Sequence, residues 1–521
     1  ELAEFEELSR DLSRKKGPVQ VSGCMDSQKV HLMVEAEPDM PWKLVVTYDE
    51  ARAREIYDDF CCFRDDVWLY PAKDLLFYSA DIHGNLLTRQ RLLTLRHLME
   101  DPSGVVVTTL DGLMDHLFPL EQLRNQILRV RPGEEVDLEQ WKERLTQLGY
   151  ERMPQVDGMG QFSIRGGILD IFPPQAEHPY RVEFWDDEID SISTFDVGSQ
   201  RRLEQCETLR CLPCMEALPS LAKGGAAGLA KAVAALASSR RKKQHADLQK
   251  NLERDAERLR ENGTLPAADK YLPLIYPQMA TAFDYLPENT LILIEDTPRL
   301  RAAARDFHAR IADDVTALME RGEMPGGMDG YALDFAGICS IKRQIVRMDS
   351  FLNSIPELAP QHLENFVANQ MNAYGGNLDM ASADIRSYTE QGRAVAVVCG
   401  STLRCKNMFD ALTDSGLKVQ LSDLLPKGGC VNIMEGTISA GFEYPDLGLV
   451  VMTEGQVLAR RKKTKVKRSN RDRVKSFTDL TPGDLVVHEH HGIGRFIGME
   501  RMTVDGSERD FIKIAFAGTD F

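Results

Sequence analysis

Over the first 115 residues, apolar positions gather into short runs that alternate with longer amphipathic stretches. PVQVS (18–22), WKLVVTY (42–48), VWLYP (67–71) and VVVTT (105–109) have the length and β-branched content of buried strands. Asp49 is placed to cap a helix carrying Ile56, Phe60 and Phe63, and leucines between 86 and 99 are spaced for one buried helical face. Strands alternating with helices predict a mostly parallel sheet covered on both sides.

The period changes between 116 and 212. After a predicted helix at 141–148, QFSIRGGILDIF (161–172) and PYRVEFW (179–185) alternate or run apolar over strand-length windows, joined by a Pro-bearing connection. In the second run Tyr180, Val182 and Phe184 point to one face and Arg181, Glu183 and Trp185 to the other. With the first set inward, Arg181 and Trp185 are exposed together, and both residue types are favoured at binding hot spots. Arg165 joins them if the two strands pair. The competing reading is an ordinary solvated sheet face, which pattern alone favours.

From 216 to 262 the chain is rich in Ala, Lys and Arg, with Leu248, Leu252, Ala256 and Leu259 on one side of a helix and RRKK (240–243) read as a solvated face. LILIED (291–296) and a helix over 298–319 then complete the first sheet, which makes the β-rich stretch an insertion between two halves of one domain. Strands at 393–399, 418–421, 430–433 and 447–453 suffice for a further compact α/β domain, without a glycine fingerprint or catalytic cluster. Residues 460–475 hold ten basic residues against one acidic: a solvated tether or a sequence-blind phosphate contact. DLVVHEHHGIGRFIGM (484–499) and DFIKIAF (510–516) open a small barrel.

Composition narrows the chemistry. The net charge of −17 argues against a chain that coats nucleic acid over its whole surface. No run of about 18 apolar residues and no signal peptide is present, and ten irregularly spaced cysteines fit a reducing cytoplasm. The single CxxC, Cys211 to Cys214, lacks the further ligands of a zinc site, so no metal is expected. His488, His490 and His491 do not form a zinc-protease motif, because Gly492 stands where its second histidine belongs. The strand–Gly–helix unit at Gly23 invites comparison with a phosphate loop. Gly23 and Lys29 sit correctly, but Gln28 replaces the second glycine, Val30 the magnesium-binding hydroxyl, and Asp26 adds negative charge. Glu295 and Asp296 form the matching acidic strand end, which has nothing to serve without a working loop. The chain starts at Glu1 without Met and ends in a predicted strand, so we expect a piece of a longer protein.

Three passages resemble the bacterial transcription-repair coupling factors. GQFSIRGGILDIFP with PYRVEFWDDEIDSI is similar to the module that family shares with the excision-repair protein UvrB. LYPAKDLLFYS (69–79) with RQRLLTL (89–95) matches the same shared half, and DLVVHEHHGIGRFIGM is similar to the family's RNA-polymerase-interacting module. The resemblance implies a multidomain α/β architecture. A degenerate UvrB-like, P-loop (RecA-type) domain (1–115 and 213–345) carries an inserted β-rich module (116–212). A small α/β domain (346–458), a basic linker (459–476) and a truncated Tudor-like β-barrel (477–521) follow. It further implies a monomer with no membrane partner that recruits UvrA and contacts the RNA polymerase β subunit. The UvrA-binding residues carried over are Arg165, Arg181 and Trp185, the last standing where the family has Phe. Those for polymerase are Ile497 and Met502. No cofactor is expected in this chain, since the family's ATP, Mg and DNA chemistry belongs to motor motifs of which no intact copy occurs here. Two other readings stay open: NTP binding through Gly23–Lys29, and DNA binding through 460–475.

Overall fold

A computed structural model of the chain describes residues 2–458, apart from 15–16, 37–38, 74–81, 239–245, 266–267, 279, 326–334, 341, 368, 370, 373 and 423–425, and then 485–488, 492–504 and 507–515. The basic stretches 240–243 and 460–475 and His490 and His491 lie outside the described residues. The chain divides into two compact units, Glu1–Leu458 and Ala459–Phe521.

The first four strands are those expected: β1 (Val19–Ser22), β2 (Trp42–Thr47), β3 (Val67–Tyr70) and β4 (Gly104–Thr109). There follow β5 (Leu128–Val130), β6 (Glu151–Arg152), β7 (Gln161–Arg165), β8 (Ile168–Ile171), β9 (Tyr180–Trp185), β10 (Glu188–Phe195), β11 (Arg202–Gln205) and β12 (Leu209–Cys211). Then come β13 (Thr290–Glu295), β14 (Gln344–Met348) and β15 (His362–Asn365). A seven-stranded parallel sheet runs β15-β1-β14-β13-β2-β4-β3, so strands from both ends of this region share one sheet. The intervening chain makes a six-stranded sheet, β11-β10-β9-β8-β7-β6, and a β5–β12 ribbon. A five-stranded sheet follows, built from β16 (Ala394–Cys399), β17 (Val419–Leu421), β18 (Val431–Glu435), β19 (Phe442–Tyr444) and β20 (Leu449–Thr453) in the order β17-β18-β16-β20-β19. The second unit is an antiparallel meander of β21 (Leu485–His488), β22 (Gly492–Val504) and β23 (Ser507–Ala515).

Alternation along the central strands explains the layers. Leu44, Val46 and Val106 face one core with Tyr271, Tyr276 and the helix residues Leu248, Leu252, Ala256 and Leu259. Val45, Val105 and Val107 face a second core, which continues into Ala396, Val398, Phe442, Tyr444 and Val451 of the five-stranded sheet. The seven-stranded parallel sheet and the five-stranded mixed sheet are therefore welded through shared apolar packing, whose burial is the dominant stabilising term.

Three sequence expectations change. The first sheet extends beyond 345, because β14 and the edge strand β15 belong to it; buried Arg347 interrupts the apolar run of QIVRM, and HLEN holds one apolar residue, so neither reads as a strand. Residues 116–127 pack with the first core through Leu117, Phe118 and Leu123, so the β-rich region starts at 128. Phe63 lies beyond the helix Glu50–Cys61 and is exposed, while Ile56 and Phe60 are buried as expected and Asp49 caps the helix by accepting from Arg52 N.

Buried charges fix how the chain leaves and re-enters the first sheet. Arg91, fully buried, donates through Nε to Glu216 Oε1 at 2.7 Å, through Nη1 to Asp115 Oδ2 at 3.1 Å and to the Pro71 carbonyl at 2.8 Å. Asp115 precedes the six-stranded region and Glu216 follows it, so one guanidinium holds both crossings. Burial pushes the Asp115 carboxyl up to about 7 against the pull of Arg91. At Glu216, Arg91 and Lys73 overcome the same desolvation and hold the carboxyl below its ordinary range. A second cluster centres on Glu295 at the end of β13, which accepts from Arg52 Nη2 at 2.7 Å, Thr47 Oγ1 at 2.9 Å and Lys29 Nζ at 3.3 Å. Burial disfavours its charge, but these donors outweigh burial and lower its pKa.

Arg91→Ala removes the cation that Asp115 and Glu216 share and leaves Glu216 only the longer contact with Lys73, so we expect a loss of about 3–5 kcal/mol, read as a lower urea midpoint of the first unit. Because the folded-state pKa of Glu295 is depressed, its contribution is present above the unfolded-state value and is lost as pH falls through the folded one. Glu295→Gln should flatten that acid limb in a melting series; an unchanged limb would show that other carboxylates set it.

Candidate docking face on the six-stranded sheet

Of the first run singled out by pattern, only the second half pairs with PYRVEFW. Arg165, Gly166, Gly167 and Ile168 form a tight hairpin, with Gly166 at φ 59°, so QFSIRGGILDIF is two strands. A side chain at Gly167 would meet the Phe184 carbonyl at 3.1 Å. The hairpin puts β8 between β7 and β9. Phe162, Leu169, Ile171 and Val182 are buried below the sheet, with Ile164, Tyr180 and Phe184 packed against them. The register then places Ser163, Arg165, Ile168, Asp170, Arg181, Glu183 and Trp185 on the opposite face.

Both predicted arginines converge on one carboxylate. Asp170, whose side chain is 1% exposed, accepts from Arg181 Nε at 2.7 Å and Nη2 at 2.8 Å, and from Arg165 Nη2 at 3.0 Å. Arg181 lies over the Phe195 ring, 4.5 Å from its centroid, and its side chain is 19% exposed, so it is not the open residue that alternation implied. Arg165 is 53% exposed and uses one Nη in the pair, leaving its other N–H groups toward solvent. Trp185 ends β9 at the Asp186–Asp187 hairpin, with Asp186 at φ 58°, and is 83% exposed. Next to it Glu183 accepts from Ser191 Oγ at 2.8 Å and Arg202 Nη2 at 2.6 Å; these bonds hold Glu183 below the usual carboxylate range.

Sequence reasoning missed Asp170 and Arg202. The Gly166–Gly167 dipeptide is a two-residue hairpin signal that would have set Asp170 beside Arg165. Arg202 lies on β11, whose residues are all exposed and which has no apolar alternation to mark it.

The segment at Gly23 that the sequence compares with a phosphate loop is engaged within the fold. Gly23 has φ 83°, and a side chain there would meet the Phe366 carbonyl at 2.0 Å, so glycine serves backbone packing. Gln28 is fully buried and accepts from Met25 N, Val30 is in the second core, and Lys29 is paired with Glu295. Glu295 therefore does serve a purpose, as a structural ion pair. The start of the helix Asp26–Glu35 is covered by the loop before β19: Asp59 accepts from Ser27 Oγ at 2.7 Å, Ser439 N at 2.6 Å and Ser439 Oγ at 2.8 Å, while Ala440 N donates to Ser27 Oγ at 3.0 Å. Where a nucleotide's phosphates would approach, the chain has its own loop.

In the second unit, register shifts between Phe496 and Gly498, so Ile497 is the extra residue of a β-bulge and is exposed, while Phe496 is buried. The side chains of Met502 and His488 lie outside the described residues. Burial pushes the Cys211 and Cys214 thiols far up, and among the described residues no group of His, Cys, Asp and Glu is placed to hold a metal ion.

Residues 128–216, which hold this candidate face, match the family described as UvrB interaction domain, and residues 480–521 match the CarD-like/TRCF RID domain. The transcription-repair-coupling factor of Bacillus subtilis (strain 168) is 29% identical over 490 residues, covering 91% of this chain and 41% of that protein. The protein of the same name from Staphylococcus aureus (strain USA300) is 27% identical over 517 residues, covering 96% of this chain and 44% of its own length. The chain thus spans about two fifths of the length of these relatives, and it is similar to them over more than nine tenths of its own length.

Proposed function

We propose that this chain is the recruitment part of a transcription-coupled DNA repair factor. The outer face of the six-stranded sheet docks UvrA, and the three-stranded unit, as the start of a Tudor-like barrel, contacts the RNA polymerase β subunit through the region of Ile497 and Met502. The observation that carries the first assignment is Trp185. A tryptophan 83% exposed on a sheet face is costly to leave in water, and the half-exposed Arg165 and Arg202 lie on the same face, Arg202 paired with Glu183. The match to the UvrB interaction domain supports the same reading.

In this reading the seven-stranded sheet is a degenerate UvrB-like, RecA-type ATPase domain that scaffolds the docking module and binds no nucleotide. The pairing of Lys29 with Glu295 and the loop over Ser27 support that view. Translocation on DNA driven by ATP and magnesium then belongs to the part of the relatives' length that this chain does not span.

Arg181→Ala is an impure test, because it strips Asp170 of its main cation and disturbs the sheet as well as the surface. Trp185→Ala is cleaner. We expect a melting temperature within a degree or so of the unmutated chain and a loss of about 2 kcal/mol, roughly 30-fold, in affinity for purified UvrA. Affinity that survives this substitution, measured by calorimetry, sinks the docking assignment. Titration with ATP and magnesium should give no heat of binding; saturable heat abolished by Lys29→Ala would restore the nucleotide reading.

A further inference from the structure

The docking face contains a carboxylate that no surface residue explains. Asp170 points to the same side as Arg165 and Arg181, yet it is sealed from solvent, and both of its oxygens are used by those two arginines. Paired bonds from Nε and Nη2 to both oxygens of a carboxylate are the geometry that best fixes a guanidinium plane. Arg181 therefore has its chelating edge occupied from within. Its remaining Nη1 faces the Gln200 carbonyl at 3.5 Å, and its plane lies on Phe195. It has no free fork for a partner's carboxylate. Arg165 differs: one Nη is tied to Asp170 and the rest of its guanidinium is open. A surface arginine on a long flexible stem normally loses rotamer freedom when it binds, and a buried tether removes part of that cost beforehand.

We propose that Asp170 is the positioning residue of this face: it locks Arg181 as a strut and through the same carboxylate pre-sets Arg165, which makes the direct contact. The proposal rests on the docking reading but divides its residues differently, since Arg165 and Trp185 touch the partner while Arg181 acts through Asp170. The partner group that fits Arg165 is an anion able to take its free N–H groups, a carboxylate on the protein surface of UvrA.

The test is a double-mutant cycle with purified UvrA. Asp170→Asn should lower affinity by about tenfold in the unmutated background and by no more than about twofold when Arg165 is already Ala, because the two act as a unit. Equal losses in both backgrounds, or no loss at all, overturn the proposal. A purely structural carboxylate would give equal losses. A second measurement needs no substitution and no partner: hydrogen exchange of the arginine Nε–H groups by NMR. Arg181 Nε–H, bonded to Asp170, should exchange at least about tenfold more slowly than that of exposed Arg201, and equal rates would refute the internal lock. The two readings fail separately. If Trp185→Ala binds UvrA as tightly as the unmutated chain, the docking face is wrong; if Trp185→Ala weakens binding and Asp170→Asn does not, only the role of Asp170 is.

Discussion

One buried guanidinium ties together both points where the chain crosses between the seven-stranded and six-stranded sheets. Arg91 takes Asp115 on the way out of the seven-stranded sheet and Glu216 on the way back, with the Pro71 carbonyl as a third partner. An ion buried this deeply survives only when its hydrogen bonds are nearly complete. The geometry at the crossing is therefore tightly specified, and the six-stranded sheet is held to the first sheet at both ends. Side chains on the outer face of that sheet are in this way referred to a rigid body and not to a swinging appendage.

The same logic of internal pairing runs through the features that look like chemistry. Lys29 and Glu295, which in a nucleotide-binding fold would be divided between phosphate and magnesium, are joined to each other. Asp59, Ser27 and Ser439 close the start of the helix that would cradle phosphate, and in doing so fasten the five-stranded sheet to the first. On the outer face of the six-stranded sheet, too, charges are paired with one another, and what is left open is selective: the Trp185 ring, part of Arg165 and part of Arg202.

That selectivity bears on how such a surface is read. Counting arginines on a strand by alternation gives the right face but the wrong availability. Arg181 and Trp185 share a face by the period of two, yet one is clamped over Phe195 and the other projects into solvent. Alternation knows direction; it does not know which cross-strand neighbour waits there.

The sequence by itself determined the parallel strands of the first half, the Asp49 cap, and the inward set Tyr180, Val182 and Phe184. These follow from local periodicity and from residue chemistry within a few positions. Only the tertiary structure decided that β14 and β15 finish the first sheet, that QFSIRGGILDIF is a hairpin whose second strand lies between QFSIR and PYRVEFW, and that Asp170, Glu295 and Asp59 are the partners of the basic and hydroxyl groups around them. Glu295 lies 266 residues from Lys29 and Ser439 lies 380 from Asp59. Pairings across such distances are set by how the sheets pack, and a buried charge leaves no periodic trace in the chain from which its partner can be read.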